Sequence, residues 1–276
     1  MKQRIAFQGE LGAYSHEACV AYNPEAEAVP CASFEDAIEA VQKGDSDLAM
    51  LPIENSTYGR VADNHRLIPD CGLRIIGEAF VRVRIALMAP HGTALSDVKT
   101  VYAHPVLLPQ SAAFLKAHGI KGHGAADSAG AAAHLAQHKA PGEGVLASAL
   151  AAEIYGLDVL AHDIEDHGHN TTRFVIMGRE MDLTRRGKLG MMTTFVFEVR
   201  NIPAALYKAM GGFATNGVNM TKLESYMVDG SFTATRFYAD IDGHPDDENV
   251  RLAMEELDYF TSYLNILGVY PADRQR

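Results

Sequence analysis

The chain has 276 residues, 47% of them hydrophobic, with 35 acidic and 24 basic side chains and a net charge of −11. That length is comfortable for two domains, and the apolar share suffices for ordinary cores. The acidic balance argues against non-specific binding to nucleic acid or to an anionic membrane.

Residues 5–7 predict a strand, and residues 13–22 a helix. Gly9 and Gly12 lie between them, where positive φ and close approach of a ligand to the backbone are allowed. The helix start offers free N–H groups to an anion. Ser33 caps a second helix running to about residue 43, with Asp36 near the capping-box position. Residues 48–53 form the next strand, and β-like residues 73–81 and 83–88 carry the chain between two lobes. Helices are expected over 112–118, 128–138 and 149–155, and strands over 100–103, 145–147 and 157–164. Such alternation argues for α/β layers with mainly parallel sheets.

Residues 179–190 are charged and aperiodic, and read as a linker. Beyond them the pattern changes. A strand over 193–199 is followed by a helix from Pro203 to about 215, ending at Asn216-Gly217. Strands over 218–227 and 231–241 pair around Asp229-Gly230; a helix over 245–260 and a strand over 263–269 close the chain. This is βαββαβ, the ferredoxin-like order. Cys19, Cys31 and Cys71 lack metal-like spacing and are expected to be reduced thiols of a cytoplasmic protein. No signal peptide is read at the N-terminus, and no run approaches the roughly 20 apolar residues of a membrane span.

Three polar loops lie at the carboxyl ends of expected strands. The first is residues 9–16. The second is 52–59, containing Glu54, Asn55 and Ser56. The third is Asn170-Thr171-Thr172-Arg173-Phe174, which joins an amide, two hydroxyls, a cation and an apolar ring. In open α/β sheets ligands bind at that edge. Thr235-Arg236-Phe237 repeats the tripeptide without the accompanying loops and is expected to be a strand ion pair beside a core ring. His162, Asp163, Glu165, Asp166, His167 and His169 are spaced irregularly and read as a solvated loop rather than a metal site.

These loops, together with His104-Pro105, Gln110, Ala147-Ser148, Ala152, Tyr155 and Gly156, resemble the prephenate dehydratases of the bacterial single-function form with an appended ACT domain. The resemblance covers roughly residues 3–270. It implies an α/β fold: a two-lobed catalytic domain of the periplasmic-binding-protein type II kind over 1–180, with crossovers near 80 and 160, and a ferredoxin-like ACT domain over 191–271. It also implies decarboxylating dehydration of prephenate to phenylpyruvate in phenylalanine biosynthesis, with no cofactor or metal. Phenylalanine is the implied effector, and a homodimer or homotetramer the implied assembly.

The family motif places its catalytic threonine at Thr172. A cation on the departing carboxylate would favour the ground state, so Arg173 is expected to grip the pyruvyl carboxylate instead. Phe174 would then form an apolar wall. Glu54 is a candidate for a proton relay to Thr172. Asn55, Ser56, Ser15, Gln110 and Asn170 are candidates for neutral substrate contacts. In the ACT region the implied effector residues are Ala205, Leu206, Asn219, Glu224 and Ser225.

The chain departs from the family pattern at Ala103 and Val106, which flank His-Pro in place of serine and glutamine. It departs again at Ala204, where the family has glycine, and at Tyr226-Met227, where it has Arg-Pro. Two rivals remain: an arogenate dehydratase, marked by an acidic contact to the substrate amine, and a non-catalytic two-lobed sensor.

Overall fold

A computed structural model describes residues 2–185, 190–227 and 234–276. The chain forms two compact units, Met1–Val61 with Ala79–Phe174, and Ala62–Glu78 with Val175–Arg276. In chain order the elements are β1 (Arg4–Gln8), α1 (Tyr14–Tyr22), β2 (Glu27–Cys31), α2 (Phe34–Lys43), β3 (Leu48–Asn55), β4 (Gly59–Arg60), α3 (Ala62–Leu67) and β5 (Arg74–Arg82). There follow β6 (Ala86–Ala89), β7 (Thr100–Ala103), α4 (Leu107–Gln110), α5 (Ala112–His118), β8 (Lys121–Gly124), α6 (Ser128–His138), β9 (Glu143–Ala147), α7 (Ala149–Tyr155), β10 (Asp158–Ala161) and β11 (Thr171–Gly178). The last stretch holds β12 (Met191–Val199), α8 (Ala205–Thr215), β13 (Met220–Met227), β14 (Ala234–Asp242), α9 (Glu248–Phe260) and β15 (Thr261–Pro271).

The first unit contains two sheets, one to a lobe. One has the order β5-β11-β3-β1-β2 with β4 beside β3; the other runs β10-β6-β9-β7-β8. β1 pairs in parallel with β2 and β3, and β7 in parallel with β8 and β9. Central parallel strands are covered on both faces, so they read as continuous apolar runs. Ile5, Ala6 and Phe7 of β1 and Met50 and Leu51 of β3 are fully buried accordingly. β2 and β8 lie at the outer edges of their sheets and were not expected from the sequence. Their side chains are largely solvated, and Pro30 in β2 is tolerated because an edge strand has no partner on one side. The chain passes to the second sheet between β5 and β6 and returns between β10 and β11. α2 starts with the expected capping box: Ser33 Oγ accepts from Asp36 N at 3.0 Å, and Asp36 accepts from Ser33 N at 3.1 Å.

The second unit carries the βαββαβ order, with sheet order β13-β14-β12-β15 and antiparallel pairing throughout. Its core gathers Phe195, Phe197, Phe213, Phe237 and Leu257. The second Thr-Arg-Phe tripeptide behaves as expected: Arg236 Nε donates to Glu198 at 2.7 Å, and Phe237 stacks on Phe197. β15 also meets β5 at Gly268, opposite Ile75. A Cβ at Gly268 would lie 2.2 Å from the Ile75 carbonyl oxygen, so only glycine fits that contact. Arg276 bridges two carboxylates, bonding Glu78 at 3.0 Å and Asp240 at 3.3 Å.

The expected turn at Asp229-Gly230, and residues 186–189 of the expected linker, lie outside the described residues. α8 starts two residues beyond Pro203, because Ala204 holds the left-handed conformation at φ 61°. Among the described residues no helix is long and apolar enough to cross a membrane.

Candidate active site

A cavity of about 360 Å³ is lined by both lobes of the first unit. That volume suits a small-molecule ligand. Its walls come from segments that follow the carboxyl ends of β1, β3, β7, β8 and β9, and from the start of β11. Val61, Val83, Val106 and Leu107 make it partly apolar.

Positive potential comes from backbone rather than side chains. Among the described residues lining the cavity none is Lys or Arg. α1 begins at the cavity with Ala13 as N-cap, which supplies no side-chain acceptor. Its first-turn N–H groups are therefore available to an anion. The loop before it is held by His16, whose Nδ1 accepts from Gly12 N at 3.0 Å. Burial lowers the His16 pKa, which keeps the imidazole neutral and able to accept. Gly9 and Gly12 have φ of 116° and 90°, positive values that glycine allows.

The lobes are latched beside this loop. Ser148 Oγ donates to Gly12 O at 2.6 Å, and Tyr155 OH donates to Leu11 O at 2.8 Å. Ser148 also caps α7 by accepting from Ala151 N. Glu17 of α1 lies beside Ser148 at this seam. Burial pushes its carboxyl up to about 7; Ser148 and Arg84 pull it down, and Glu153 raises it. The folded protein thus binds a proton on Glu17 more tightly than the unfolded chain does. The resulting stabilisation is present at about pH 4 and is lost as the pH rises through about 7. Glu17→Gln is accordingly expected to raise the melting temperature at pH 8 more than at pH 5. Equal shifts in thermal melts at the two pH values would refute that origin.

At the opposite wall, side-chain amides set the direction of a hydrogen-bond chain. Asn55 Oδ1 accepts from the backbone N–H groups of Thr57 at 2.9 Å and Tyr58 at 3.0 Å. Its Nδ2 must then face the other way. It donates to Thr172 Oγ1 at 2.9 Å and to Asn170 Oδ1 at 2.7 Å. Asn170 Nδ2 passes the polarity on to Gln110 Oε1 at 2.7 Å. Two donors are left over. The Thr172 hydroxyl accepts from Asn55, so its own proton is free to be donated. Gln110 Nε2 is buried without a protein partner among the described residues.

The structure therefore brings Ser15, Asn55, Gln110, Asn170 and Thr172 to one cavity, and leaves four other expected residues off its wall. Successive strand residues point to opposite faces. Thr172 faces the cavity, so its neighbour Arg173 does not. Arg173 is 2% exposed and donates to Glu54 Oε1 at 2.9 Å. Glu54 is likewise turned away relative to Asn55. The expected grip of Arg173 on a substrate carboxylate and the expected Glu54–Thr172 relay are corrected by that alternation.

Phe174 is 1% exposed and packs in the core rather than forming a wall. Ser56 Oγ is engaged on both sides, donating to His169 O and accepting from Thr171 N, each at 2.9 Å. It fastens the two loops together.

Residues that sequence reasoning passed over are Tyr14, Tyr58 and Asp127, all on the cavity wall. The Asp-Ser pair before the alanine-rich α6 was a legible N-cap signal for Asp127. His104 both lines the cavity and holds its turn, donating its N–H to Ser128 Oγ and accepting from Val106 N on Nδ1. The acidic–His run has packing roles. Glu165 accepts from Ile85 N at 2.9 Å, and Asp166 accepts from Ala113 N at the start of α5.

A protein-family model described as prephenate dehydratase matches residues 5–182. The chain belongs to the prephenate dehydratase family. Relatives agree over nearly its whole length. A bifunctional N-acyl-homoserine lactone acylase/prephenate dehydratase of Komagataeibacter europaeus is 46% identical, over 97% of this chain and 95% of that protein. An arogenate dehydratase/prephenate dehydratase of Arabidopsis thaliana is 37% identical, over 98% of this chain and 73% of that one. Among solved structures, a quorum-quenching acylase, GqqA, superposes with a TM-score of 0.94 at 45% identity, covering 99% of this chain and all of that one. The prephenate dehydratase of Arthrobacter aurescens in complex with L-Phe superposes with a TM-score of 0.88 at 32% identity, covering 97% and 89%. The two-lobed α/β class expected from the sequence is the one these family structures share with this chain.

Proposed function

We infer that the protein is a prephenate dehydratase in which Thr172 is the proton donor. The observation that supports this most is the fixed polarity of the bonds from Asn55 to Thr172 and, by way of Asn170, to Gln110, which leaves the Thr172 O–H as a donor at the cavity. In the reaction the C–C bond to the ring carboxylate breaks and its electron pair enters the ring. The C–O bond to the ring hydroxyl breaks in turn, and the leaving oxygen takes a proton to depart as water. Prephenate dianion plus one proton gives phenylpyruvate, CO2 and water, so the balance needs neither oxidant nor metal.

A cavity walled mainly by neutral donors and apolar side chains, with Asp127 its one acidic residue among the described ones, suits this chemistry. A cation on the departing carboxylate would stabilise the ground state more than the transition state. The pyruvyl carboxylate is assigned to the first turn of α1, where backbone N–H groups replace the guanidinium expected there. Arg173 then acts from behind as a positioning residue, holding the end of β3 to the start of β11 through Glu54.

Mixing the purified protein with prephenate and following phenylpyruvate absorbance tests the activity. Lack of turnover, with binding retained, would favour a two-lobed sensor. A third arm takes its substrate from the name of the Komagataeibacter relative. Hydrolysis of an N-acyl-homoserine lactone at rates matching prephenate turnover would transfer that protein's second activity to this chain.

The part of the second unit from about residue 191 to 271 is assigned as a regulatory ACT domain on its βαββαβ order. Its effector is proposed to be L-phenylalanine, the ligand of the Arthrobacter relative's structure. Ala205 and Leu206 line a cavity at the start of α8, together with Ile202 and Phe237. Asn219 instead donates to Asp242 at 2.7 Å, and Glu224 and Ser225 are not on that cavity's wall. Ala204 occupies a left-handed position that costs a non-glycine residue about 1 kcal/mol. Millimolar L-phenylalanine is expected to lower turnover; a flat titration would remove it as effector. A cytoplasmic homodimer or homotetramer completes the proposal.

A further inference from the structure

Both polar groups of Gly12 are held by side chains. Its carbonyl accepts from Ser148 Oγ at 2.6 Å, and its N–H donates to His16 Nδ1 at 3.0 Å. Neighbouring amides are committed as well, Gly9 N to Cys31 O at 3.0 Å and Ala13 N to Glu10 O at 3.1 Å. Gly9, Gly12, Ala13, Tyr14 and Ser15 all line the cavity, so whatever binds there meets this loop. His16 is not on that wall; it is the third residue of α1. In a capping box the side chain at this position reaches back to the N-cap N–H, and it is usually Glu or Gln. His16 reaches one residue further, to Gly12, and does so with an imidazole nitrogen that carries no proton. Its ring is stacked on Phe7, with centroids 5.6 Å apart and planes at 7°, so packing aims the acceptor. Burial lowers the His16 pKa and keeps the ring neutral. A neutral acceptor fastens the loop without setting a negative charge where an anionic ligand must approach.

We propose that His16 is a positioning residue for the substrate: by accepting from Gly12 N it holds the wall formed by residues 9–15 in the conformation that receives prephenate. It acts on binding rather than on the chemical step. The proposal rests on the dehydratase reading above and deepens it. His16 is outside the bonds that set the polarity of Thr172, so proton delivery does not depend on it. Without the imidazole acceptor the Gly12 N–H loses its partner. The loop is then favoured to turn that group towards water in the cavity, and the wall loses its shape.

The test separates the acceptor from the ring, with kcat and KM for prephenate measured beside thermal melts. His16→Phe keeps an aromatic ring against Phe7 and removes the acceptor. It is expected to raise KM about tenfold with kcat nearly unchanged. His16→Leu lacks ring and acceptor, and is expected to raise KM in the same way should the first variant fold poorly. His16→Gln loses the ring and supplies an acceptor that a capping box uses at this position. Its KM is expected to fall below that of His16→Phe whatever its melting temperature, so that KM follows the acceptor and not the stability. An unchanged KM in both acceptor-less variants would overturn the inference, as would a KM for His16→Gln as high as theirs, or a loss confined to kcat. A wild type inert towards prephenate would instead overturn the dehydratase reading beneath it.

Discussion

Thr172→Ala is expected to reduce kcat for prephenate at least ~100-fold with little change in KM, because general acid assistance is typically worth about 10²–10⁴-fold. The direction of the hydrogen bonds makes the prediction specific. A threonine donating to a protein acceptor would have its proton committed. Here Asn55 Nδ2 donates to the Thr172 oxygen, and the Asn55 amide cannot be turned round without facing its NH₂ at the N–H groups of Thr57 and Tyr58. Donation from Asn55 also stabilises the oxygen that has just lost its proton. Thr172→Ser keeps the hydroxyl and should retain much of the rate, whereas Thr172→Val keeps the shape and should not. Turnover of the alanine variant equal to wild type, measured by stopped assay at saturating prephenate, would take Thr172 out of the chemistry.

The second large effect is on stability. Glu54→Gln is expected to cost about 3 kcal/mol of folding free energy, measured by denaturant unfolding. The pair is asymmetric: the Arg173 side chain is 2% exposed and the Glu54 side chain 31%. Removing the carboxylate leaves a guanidinium that water hardly reaches, whereas removing the guanidinium leaves a carboxylate that can partly rehydrate. Arg173→Met, which removes the charge but keeps the packed stem, should therefore cost less than Glu54→Gln. Neither residue lines the cavity, so the folded fraction of each variant, and of Arg173→Lys, is expected to keep its KM for prephenate. A tenfold rise in KM for Arg173→Lys, about 1.4 kcal/mol of binding, would return the cation to the substrate.

Much of the architecture was legible because buried parallel strands announce themselves. Residues 5–7 and 48–53 are apolar runs, and they became β1 and β3 at the centre of a sheet. β2 and β8 were invisible for the complementary reason: edge strands such as Lys121–Gly124 need bury nothing, so no pattern is imposed on them. At the site, residue types in the 54–56 and 170–174 loops indicated a carboxylate-handling cavity, and the two loops do meet through Asn55 and Ser56. The two-residue period of a strand was the missing constraint. It separates Thr172 from Arg173 and Asn55 from Glu54, and gives each pair one member at the cavity and one behind it. Asp127 was passed over because its capping role accounts for it in full when only the sequence is read. Its position on the cavity wall depends on how β8 and α6 are joined.

Gly12 sits at φ 90°, and any Cβ there would lie 2.7 Å from Ala151 Cα. The two lobes thus touch closely at that point, the Gly12 backbone lying against the Cα and Cβ of Ala151. A methyl added to Gly12 would have to push the two lobes apart there, and the 2.6 Å bond from Ser148 Oγ to Gly12 O would lengthen with them.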